Sequence, residues 1–516
     1  MTRQRVHGVL LAAAVLLAWE GAGRWTHAGD VVASPTAILA QYWTDADLYV
    51  PHVLSTVRSA ATGFAIGNAT ALLAAILFCR FPASENIFRG VNIALFAMPP
   101  IVVGPVLAVI FRGDLPQTIL AALVVYFPAM AATLIGLRDV DPRLLDVVSA
   151  YGGGANAAMR FVRLRSALPA ILAGLRTAST LAVLGAILGE FGSGVRWGLG
   201  SFLLGSLGNA NPARLLGIGF AATAIAMVGY AIFAWIGRIT LGATVDVTIA
   251  ANRLPDQIAE GEKYSRWQRV WLLGMAIATP FVLWWAVVKV SHLSPIIAPG
   301  PVETLRYLFG GADSADARAA LWGALKQTLP LAGIGLLCGM AAAFAAASLT
   351  VLRPPVAKAI LPVAILLQST PLVALVPLVL LVFGRDVAAT LVMAVLVVFF
   401  PAFVMLAQGF ALVPRAAKEL VQVYGGGRSK EFFLVSVPYA SSYVYGAAKL
   451  VAPRALLGVM VAEWLLSGRG LGNLLNDSRG MLDYDMVWAG AAVSILIAVV
   501  AYETISLIER TSHSSA

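Results

Sequence analysis

The sequence Tyr-Gly-Gly-Gly at residues 151–154 occurs again at residues 424–427, 273 positions further along the chain. The same offset, or one residue less, relates many other identical pairs on both sides of these glycines. Examples are Arg80 with Arg353, Pro99 with Pro371, Pro128 with Pro401, Gly136 with Gly409, and Glu190 with Glu463. A repeat of this length indicates two copies of one structural unit rather than a solenoid of short repeats.

The composition indicates that a lipid bilayer surrounds most of this chain. Of the 516 residues 59% are hydrophobic and 12% are charged, and the mean hydropathy is +0.84, whereas a soluble domain carries about 25% charged residues. The net charge is +10, but the basic residues lie in short segments between apolar runs. That pattern is typical of membrane topology and of contact with anionic lipid. Membrane lipid is therefore an expected partner, and nucleic acid is not.

Each half contains six apolar runs near the roughly 20-residue length that a transmembrane helix needs. The predicted spans are 6–22, 53–78, 92–111, 117–137, 171–190 and 216–237, then 268–290, 326–350, 358–383, 387–411, 444–466 and 487–508. We therefore predict an all-α membrane protein with about 12 transmembrane helices. The most polar stretch separates the halves, which predicts a first domain at 1–245, a cytoplasmic linker at 246–267 and a second domain at 268–516.

The positions of lysine and arginine predict how the spans are oriented. With six spans per half, the basic segments at the amino terminus, between the halves and after each fourth span all fall on one side. That side is predicted to be cytoplasmic, because cytoplasmic loops carry an excess of basic residues. An even number of spans makes the repeat parallel. We therefore expect a multi-pass protein of the cytoplasmic (inner) membrane with both termini in the cytoplasm.

The segments that follow the fourth spans carry the repeated glycines, and we call them the first glycine loop (residues 138–170) and the second glycine loop (residues 412–443). A short helix should stop at each glycine, where a positive φ is allowed, and a second short helix should end at a proline. This predicts a rigid two-helix projection on the cytoplasmic side. The residues that carry the prediction are Asp146, Tyr151, Gly152, Gly153 and Pro169 in the first loop, and Glu419, Tyr424, Gly425, Gly426 and Pro438 in the second.

Both glycine loops resemble the cytoplasmic signature of the permease subunits of ATP-binding-cassette (ABC) importers, in which an acidic residue is followed by a glycine and then by an Ile/Leu-Pro pair. The acids and glycines of the two loops stand at the matching positions. The prolines at the ends of 99–105 and 371–377 are similar to those of the branch that serves nitrate, sulfonates, taurine and thiamine precursors. The resemblance covers nearly the whole chain. It implies two permease domains of the type I importer fold, fused in one chain.

The resemblance also implies which partners the chain has. Each glycine loop would be a coupling helix that docks in a groove of an ATPase subunit, so the expected partners are two copies of an ABC ATPase and an extracytoplasmic substrate-binding protein. The sequence has no Gly-x4-Gly-Lys-Ser/Thr phosphate loop. ATP and Mg²⁺ are therefore expected in the partner ATPase, with no cofactor in this chain. Metal-ligand spacings and catalytic groupings are missing from the sequence as well, so we expect neither a metal site nor an enzyme.

A translocation pathway should lie between the halves. Polar residues inside the spans indicate its position, because they are costly in lipid and face the protein interior. Arg454 falls near the middle of the eleventh span, and its counterpart in the first half is Leu181. It is either a fixed positive charge for an anionic or carbonyl-bearing solute, or one partner of an internal salt bridge with Glu463 or Glu190. The other pathway candidates are Asn68, Thr70, Gln368, Ser369 and Thr370. For these the alternative role is hydrogen bonding between helices.

Glu190 and Glu463 recur at matched positions near the outer ends of spans five and eleven. Their symmetry favours a structural or gating task over the selection of a solute. The sequence as a whole favours the transmembrane permease subunit of an ABC importer for a small solute, with anions as one candidate class. The alternative is a secondary transporter driven by an ion gradient, since such folds can also contain parallel repeats.

Overall fold

The computed structural model describes residues 13–14, 16–24, 33–208, 211–241, 266–311, 313–353 and 371–514, and these residues form helices and connecting turns without a β-strand. The first predicted span is described only in part, with helical residues at 16–24. The predicted linker lies outside the described residues except for its last two positions.

The long helices of the described residues occur in the same order in both halves. In the first half they are α1 (Pro35–Thr44), α2 (Ala46–Arg80), α3 (Pro82–Ala97), α4 (Pro100–Ile110), α5 (Leu115–Arg138), α6 (Pro142–Ala150), α7 (Ala155–Ser193), α8 (Leu199–Ser206) and α9 (Pro212–Leu241). In the second half they are α10 (Arg266–Val290), α11 (Pro301–Phe309), α12 (Ser314–Leu352), α13 (Leu372–Phe383), α14 (Val387–Ala411), α15 (Arg415–Val423), α16 (428–439), α17 (Ser441–Ser467), α18 (Gly470–Gly480) and α19 (Tyr484–Ser514).

Among the described residues, eight helices are long and apolar enough to cross a membrane, or nine if α3 and α4 together form one span. The eight are α2, α5, α7 and α9 in the first half, and α12, α14, α17 and α19 in the second. Shorter apolar helical segments lie at Gly274–Val290 in α10 and Ala374–Phe383 in α13. These spans, together with the parallel order of the elements, confirm an all-α membrane protein built from a repeated unit.

The third predicted span, 92–111, is not one continuous helix but falls on the bent pair α3 and α4. The chain bends by 102° between α3 and α4, at Met98 and Pro99, whose ψ angles of 122° and 113° are extended. The cause is the pair Pro99-Pro100, because proline has no N–H to donate and forces the preceding residue out of the helical region.

Small residues allow the spans of each half to pack closely. Gly63 and Gly67 of α2 face α5 at Ala121 and Val125, and a Cβ atom at either glycine would overlap these neighbours. Equivalent glycines at 335 and 339 of α12 face α14 in the same way. This spacing of two glycines four residues apart is a common way for transmembrane helices to approach each other. It brings α5 and α14 to the centres of their bundles.

The two halves also pack against each other. Helix α3 contacts α10, α9 contacts α13, and α19 contacts both α3 and α4. The aromatic rings of Phe96 and Tyr502 lie 5.7 Å apart across this boundary. The fold therefore places the bend between α3 and α4 against the second half, next to the site described below.

Candidate functional site

The first glycine loop ends its short helix α6 with a hydrogen-bonded cap. Gly152 has φ +74°, and its N–H donates to the carbonyl of Ser149 at 2.9 Å. The N–H of Gly153 donates to the carbonyl of Val148 at 2.8 Å. These two bonds form a Schellman motif, which needs a left-handed residue where Gly152 stands.

The second glycine loop repeats this geometry after α15. Gly425 has φ +72° and donates to Gln422 at 2.9 Å, while Gly426 donates to Val421 at 2.8 Å. Both loops then continue into a π-helical turn, at Ala158–Arg163 and at Phe432–Ser436. The repeat is therefore preserved in the detailed backbone geometry as well as in the sequence.

Both loops expose apolar side chains on short polar helices. Tyr151 is 90% exposed and Tyr424 is 84% exposed, and α6 and α15 contain no buried residue. The acids Asp146 and Glu419 are exposed as well. Other exposed apolar residues of the two helices are Leu144, Val147, Leu420 and Val423. Such a surface is typical of a protein contact, because exposed apolar groups clustered on one element mark interaction sites.

The prediction of a helix that ends at Pro169 was wrong. Pro169 lies inside α7, which runs without a break from the glycine loop into the membrane-spanning segment. In the second loop, Pro438 lies in the last turn of α16, and Ala440, with ψ 0°, separates that turn from α17. Pro169 can remain inside a helix because a proline within a helix is tolerated where surrounding helices stabilise the segment.

A cavity of about 160 Å³ lies between the halves, well above the minimum volume that a water molecule needs. Equivalent positions of the two halves line it, which places it on the pseudo-twofold axis that relates them. These pairs are Val124 with Val397, Phe127 with Phe400, Pro128 with Pro401, Leu181 with Arg454, and Leu184 with Leu457. All five pairs share the 273-residue offset of the sequence repeat.

Arg454 is the one charged side chain among the described residues that line this cavity. It forms no hydrogen bond or ion pair with another described residue. The alternative partners Glu190 and Glu463 bind other groups, described below. The structure therefore does not contain the internal salt bridge that the sequence left open, and it places a guanidinium at the wall of the cavity opposite an apolar residue, Leu181.

Residues of the bend between α3 and α4 also lie at the cavity. Leu95 and Phe96 line it, and their carbonyls would normally accept from the N–H groups four residues later. Those residues are Pro99 and Pro100, which have no N–H. Non-helical backbone inside a membrane is tolerated where it is buried in protein or lines a water-filled cavity, and this bend lies beside the cavity.

Two of the polar pathway candidates do not lie at the cavity. Asn68 donates to the carbonyl of Phe64 at 2.8 Å, and Thr70 donates to that of Ile66 at 2.9 Å, so both bond within α2. Thr70 is exposed on the outside of the bundle. The remaining candidates, Gln368, Ser369 and Thr370, lie outside the described residues.

Glu190 and its counterpart Glu463 each hold the start of a short outer helix. Glu190, 1% exposed, accepts from Thr56 Oγ1 at 2.7 Å and from the N–H of Gly200 at 2.6 Å. Thr56 Oγ1 in turn accepts from the N–H of Leu199 at 2.8 Å. Together the two side chains occupy donors at the N-terminus of α8, which would otherwise lack partners.

The second half contains the same network. Glu463 accepts from Thr328 Oγ1 at 2.7 Å and from the N–H of Gly472 at 2.9 Å, and the N–H of Leu471 donates to Thr328 Oγ1 at 2.8 Å. The sequence interpretation missed the two threonines, although Thr56 and Thr328 are related by the repeat offset of 272 residues. The network accounts for the symmetry of the two glutamates. In the part of the chain that the structure describes, no group of acidic, His and Cys residues could hold a metal ion.

Curated relatives match about half of this chain's length. A probable ABC transporter permease protein of Haemophilus influenzae is 25% identical over 231 residues, which are 45% of this chain and 92% of that protein. A putative aliphatic sulfonates transport permease protein of Bacillus subtilis is 26% identical over 268 residues, 51% of this chain and 94% of its own. The taurine transport system permease protein of Escherichia coli is 25% identical over 239 residues, 45% of this chain and 86% of its own.

The family described as "Binding-protein-dependent transport system inner membrane component" matches twice, at residues 67–240 and 335–511. Each match contains one glycine loop and one buried glutamate. The two matches together cover more than half of the chain and coincide with the two structural repeats. The chain therefore belongs to this family of ABC transporter permeases, with two copies of the family's domain in one polypeptide.

Proposed function

We propose that the cavity between the halves is part of the translocation pathway of an ABC importer, and that both permease domains form its wall. The observation that carries this proposal is the set of equivalent residues from both halves that line one cavity on the pseudo-twofold axis. A solute held there would contact both halves, so that their relative motion would expose it to one side of the membrane and then the other.

The proposed solute is small and anionic, because Arg454 supplies a positive charge in a wall whose other described residues are uncharged. Two relatives are named for aliphatic sulfonates and for taurine. All of these molecules carry a sulfonate group. The guanidinium of Arg454 could bind a sulfonate or carboxylate through two parallel hydrogen bonds. Fusion of the halves allows such an asymmetric pathway, with an arginine on one wall and a leucine on the other.

The glycine loops are the proposed contacts with the ATPase. Their matching caps and exposed tyrosines present two similar surfaces, which fits two copies of one ATPase subunit. ATP and Mg²⁺ would bind in that partner, and the two loops and both termini would lie in the cytoplasm. A binding protein would deliver the solute to the opposite face.

The buried glutamates would keep the outer helices α8 and α18 attached to their spans during the motion. We propose that the domains meet in the linker at residues 246–267.

The coupling role can be tested by changing the shape of the caps without changing their charge. Gly152→Val and Gly425→Val place a β-branched residue at φ values of +74° and +72°, which is unfavourable because its Cβ crowds the backbone. Gly154→Val and Gly427→Val are matched controls, because these glycines have extended backbones and no atom within 4 Å of a new Cβ. We expect the first pair to lose the ATPase on purification and to lose ATP-dependent uptake in vesicles, and the controls to retain both.

Equal ATPase binding and uptake in all four variants would contradict the coupling role. The ion-gradient alternative is separated by a second measurement on the same vesicles. Uptake that persists without ATP and stops when an ionophore dissipates the gradients would support that alternative against the proposed function.

A further inference from the structure

An arginine of the second half bonds to backbone atoms of the first half at the outer end of the protein, the end opposite the glycine loops. Arg479 lies in α18, and its Nη1 donates to the carbonyl of Gly192 and, at 3.4 Å, to that of Phe191. Both carbonyls belong to α7, which runs from the first glycine loop to its outer end at Ser193. The contact therefore joins the outer ends of the two halves.

The acceptors of this contact are well suited to a cation. Helix α7 ends at Ser193 and is followed by Gly194 in the left-handed conformation. The last carbonyls of a helix have no intrahelical donor and carry the negative end of the helix dipole. The guanidinium of Arg479 supplies donors to this terminus and places its charge where the dipole stabilises it.

Arg479 also contacts its own half at the equivalent position. Its guanidinium carbon lies 5.9 Å from the ring centre of Trp464, which is the counterpart of Phe191 in the repeat. One arginine thus lies between two residues that the pseudo-twofold axis relates. A guanidinium over an indole ring is a favourable cation–π arrangement.

The repeat does not supply a second arginine at this place. The counterpart of Arg479 in the first half is Leu207. Two arginines related by the axis would bring like charges close together, which is unfavourable. The asymmetry of the fused chain therefore allows one half to bind the end of the other without repulsion.

We propose that Arg479 holds the outer side of the pathway closed, and that its release from the carbonyls of α7 is a step in opening that side. The proposal rests on the proposed function, because it takes the cavity as the pathway. Leu184, which lines the cavity, lies seven residues before Phe191 on α7, a rise of about 10 Å. The contact is thus placed between the cavity and the outer surface, where a gate would act.

The test measures the distance between the halves at their outer ends in the full chain in lipid nanodiscs. Spin labels would be attached at Arg196→Cys and Asp477→Cys, which are exposed residues of different halves, after Cys79→Ala and Cys338→Ala. We expect Arg479→Leu to add a longer-distance population that the parent protein lacks. Arg479→Lys, which keeps the charge but not the planar fork, should give a smaller such population. Arg469→Leu is the control, because Arg469 is an exposed arginine at the start of α18.

A single, unchanged distance in Arg479→Leu would overturn the proposal, and so would an equal widening in Arg469→Leu. A gate also predicts a severalfold rise in ATP hydrolysis by the reconstituted Arg479→Leu complex without binding protein, and an unchanged rate would contradict it. The distance measurement needs no ATPase. It therefore tests the Arg479 contact even if the chain proves to be driven by another energy source.

Discussion

Arg454 is the residue whose environment says most about the solute. A central arginine costs roughly 2.5–3.5 kcal/mol when a helix inserts into a membrane, and in this structure no described residue offsets that cost with a hydrogen bond. Water in the cavity can hydrate the guanidinium. A bound anion would replace part of that water with an ion pair. A guanidinium at the cavity wall without a partner among the described residues favours a role in binding.

We therefore expect Arg454→Leu, which copies the residue of the first half, to lower the uptake of an anionic substrate at least tenfold, a loss of about 1.4 kcal/mol. Arg454→Lys should retain more uptake because the charge is kept. Initial rates of uptake into proteoliposomes containing the full transporter would measure both variants. If Arg454→Leu transported the anion as fast as the parent protein, the binding role would have to be abandoned.

At the scale of single elements, the outer helices depend on side chains that are far away in the sequence. Helix α18 begins with N–H groups bonded to Thr328 and Glu463, and α8 begins in the same way. These helices are short, so their own hydrogen bonds contribute little to stability. Their positions are set by this contact with the spans, so that each network attaches a short helix to the bundle.

Removal of the Thr328 hydroxyl should loosen that joint. Thr328→Val keeps the shape but leaves the N–H of Leu471 unsatisfied in a buried site, which costs about 1–3 kcal/mol. We expect faster hydrogen exchange in the peptide that contains Leu471 and a lower unfolding temperature. Thr390→Val is a control, because Thr390 is fully buried and its hydroxyl has no partner among the described residues. Equal exchange in the two variants would show that the network does not hold the helix.

Some of these elements could be predicted from the sequence and others could not. The repeat and the apolar runs predicted the eight long spans of the described residues and the caps of the glycine loops, because these features depend on local pattern and on the identity of single glycines. The ninth predicted span, 358–383, lies partly outside the described residues. The bend at Pro99 was not predicted. An isolated proline is tolerated inside a span, whereas Pro99 and Pro100 remove two donors in succession. The Thr56–Glu190 bond was missed since it joins residues 134 positions apart. The continuation of α7 through Pro169 depends on neighbouring helices that the sequence does not specify.

On the scale of the whole molecule, the halves interlock through several pairs of helices. Gly219 of α9 lies against the backbone of Ala374 in α13, and Gly90 of α3 lies against that of Ala276 in α10. A side chain at either glycine would collide with the other half, so these surfaces are closely fitted. Such contacts do not require a covalent connection between the halves.

We therefore expect a chain divided between residues 250 and 251 to assemble from its two co-expressed parts and to transport at a rate within about twofold of the intact protein. The physical reason is that packed small-residue surfaces give transmembrane helices their association energy. A tag on one part should capture the other in detergent. A cut between Gly154 and Ala155, inside the first glycine loop, should abolish ATPase binding. Failure of the first pair to associate would mean that the connection itself is needed.

The double proline at the bend has one more consequence. Its freed acceptors at Leu95 and Phe96 are main-chain atoms, so no exchange of amino acids at those two positions can delete them. A mutational scan of side chains would therefore make this part of the cavity wall look more apolar than it is. Pro99→Ala or Pro100→Ala would restore an N–H group and offer the carbonyl of Leu95 or Phe96 a local donor. The polarity of the cavity wall would then change although the side chains at 95 and 96 stay the same.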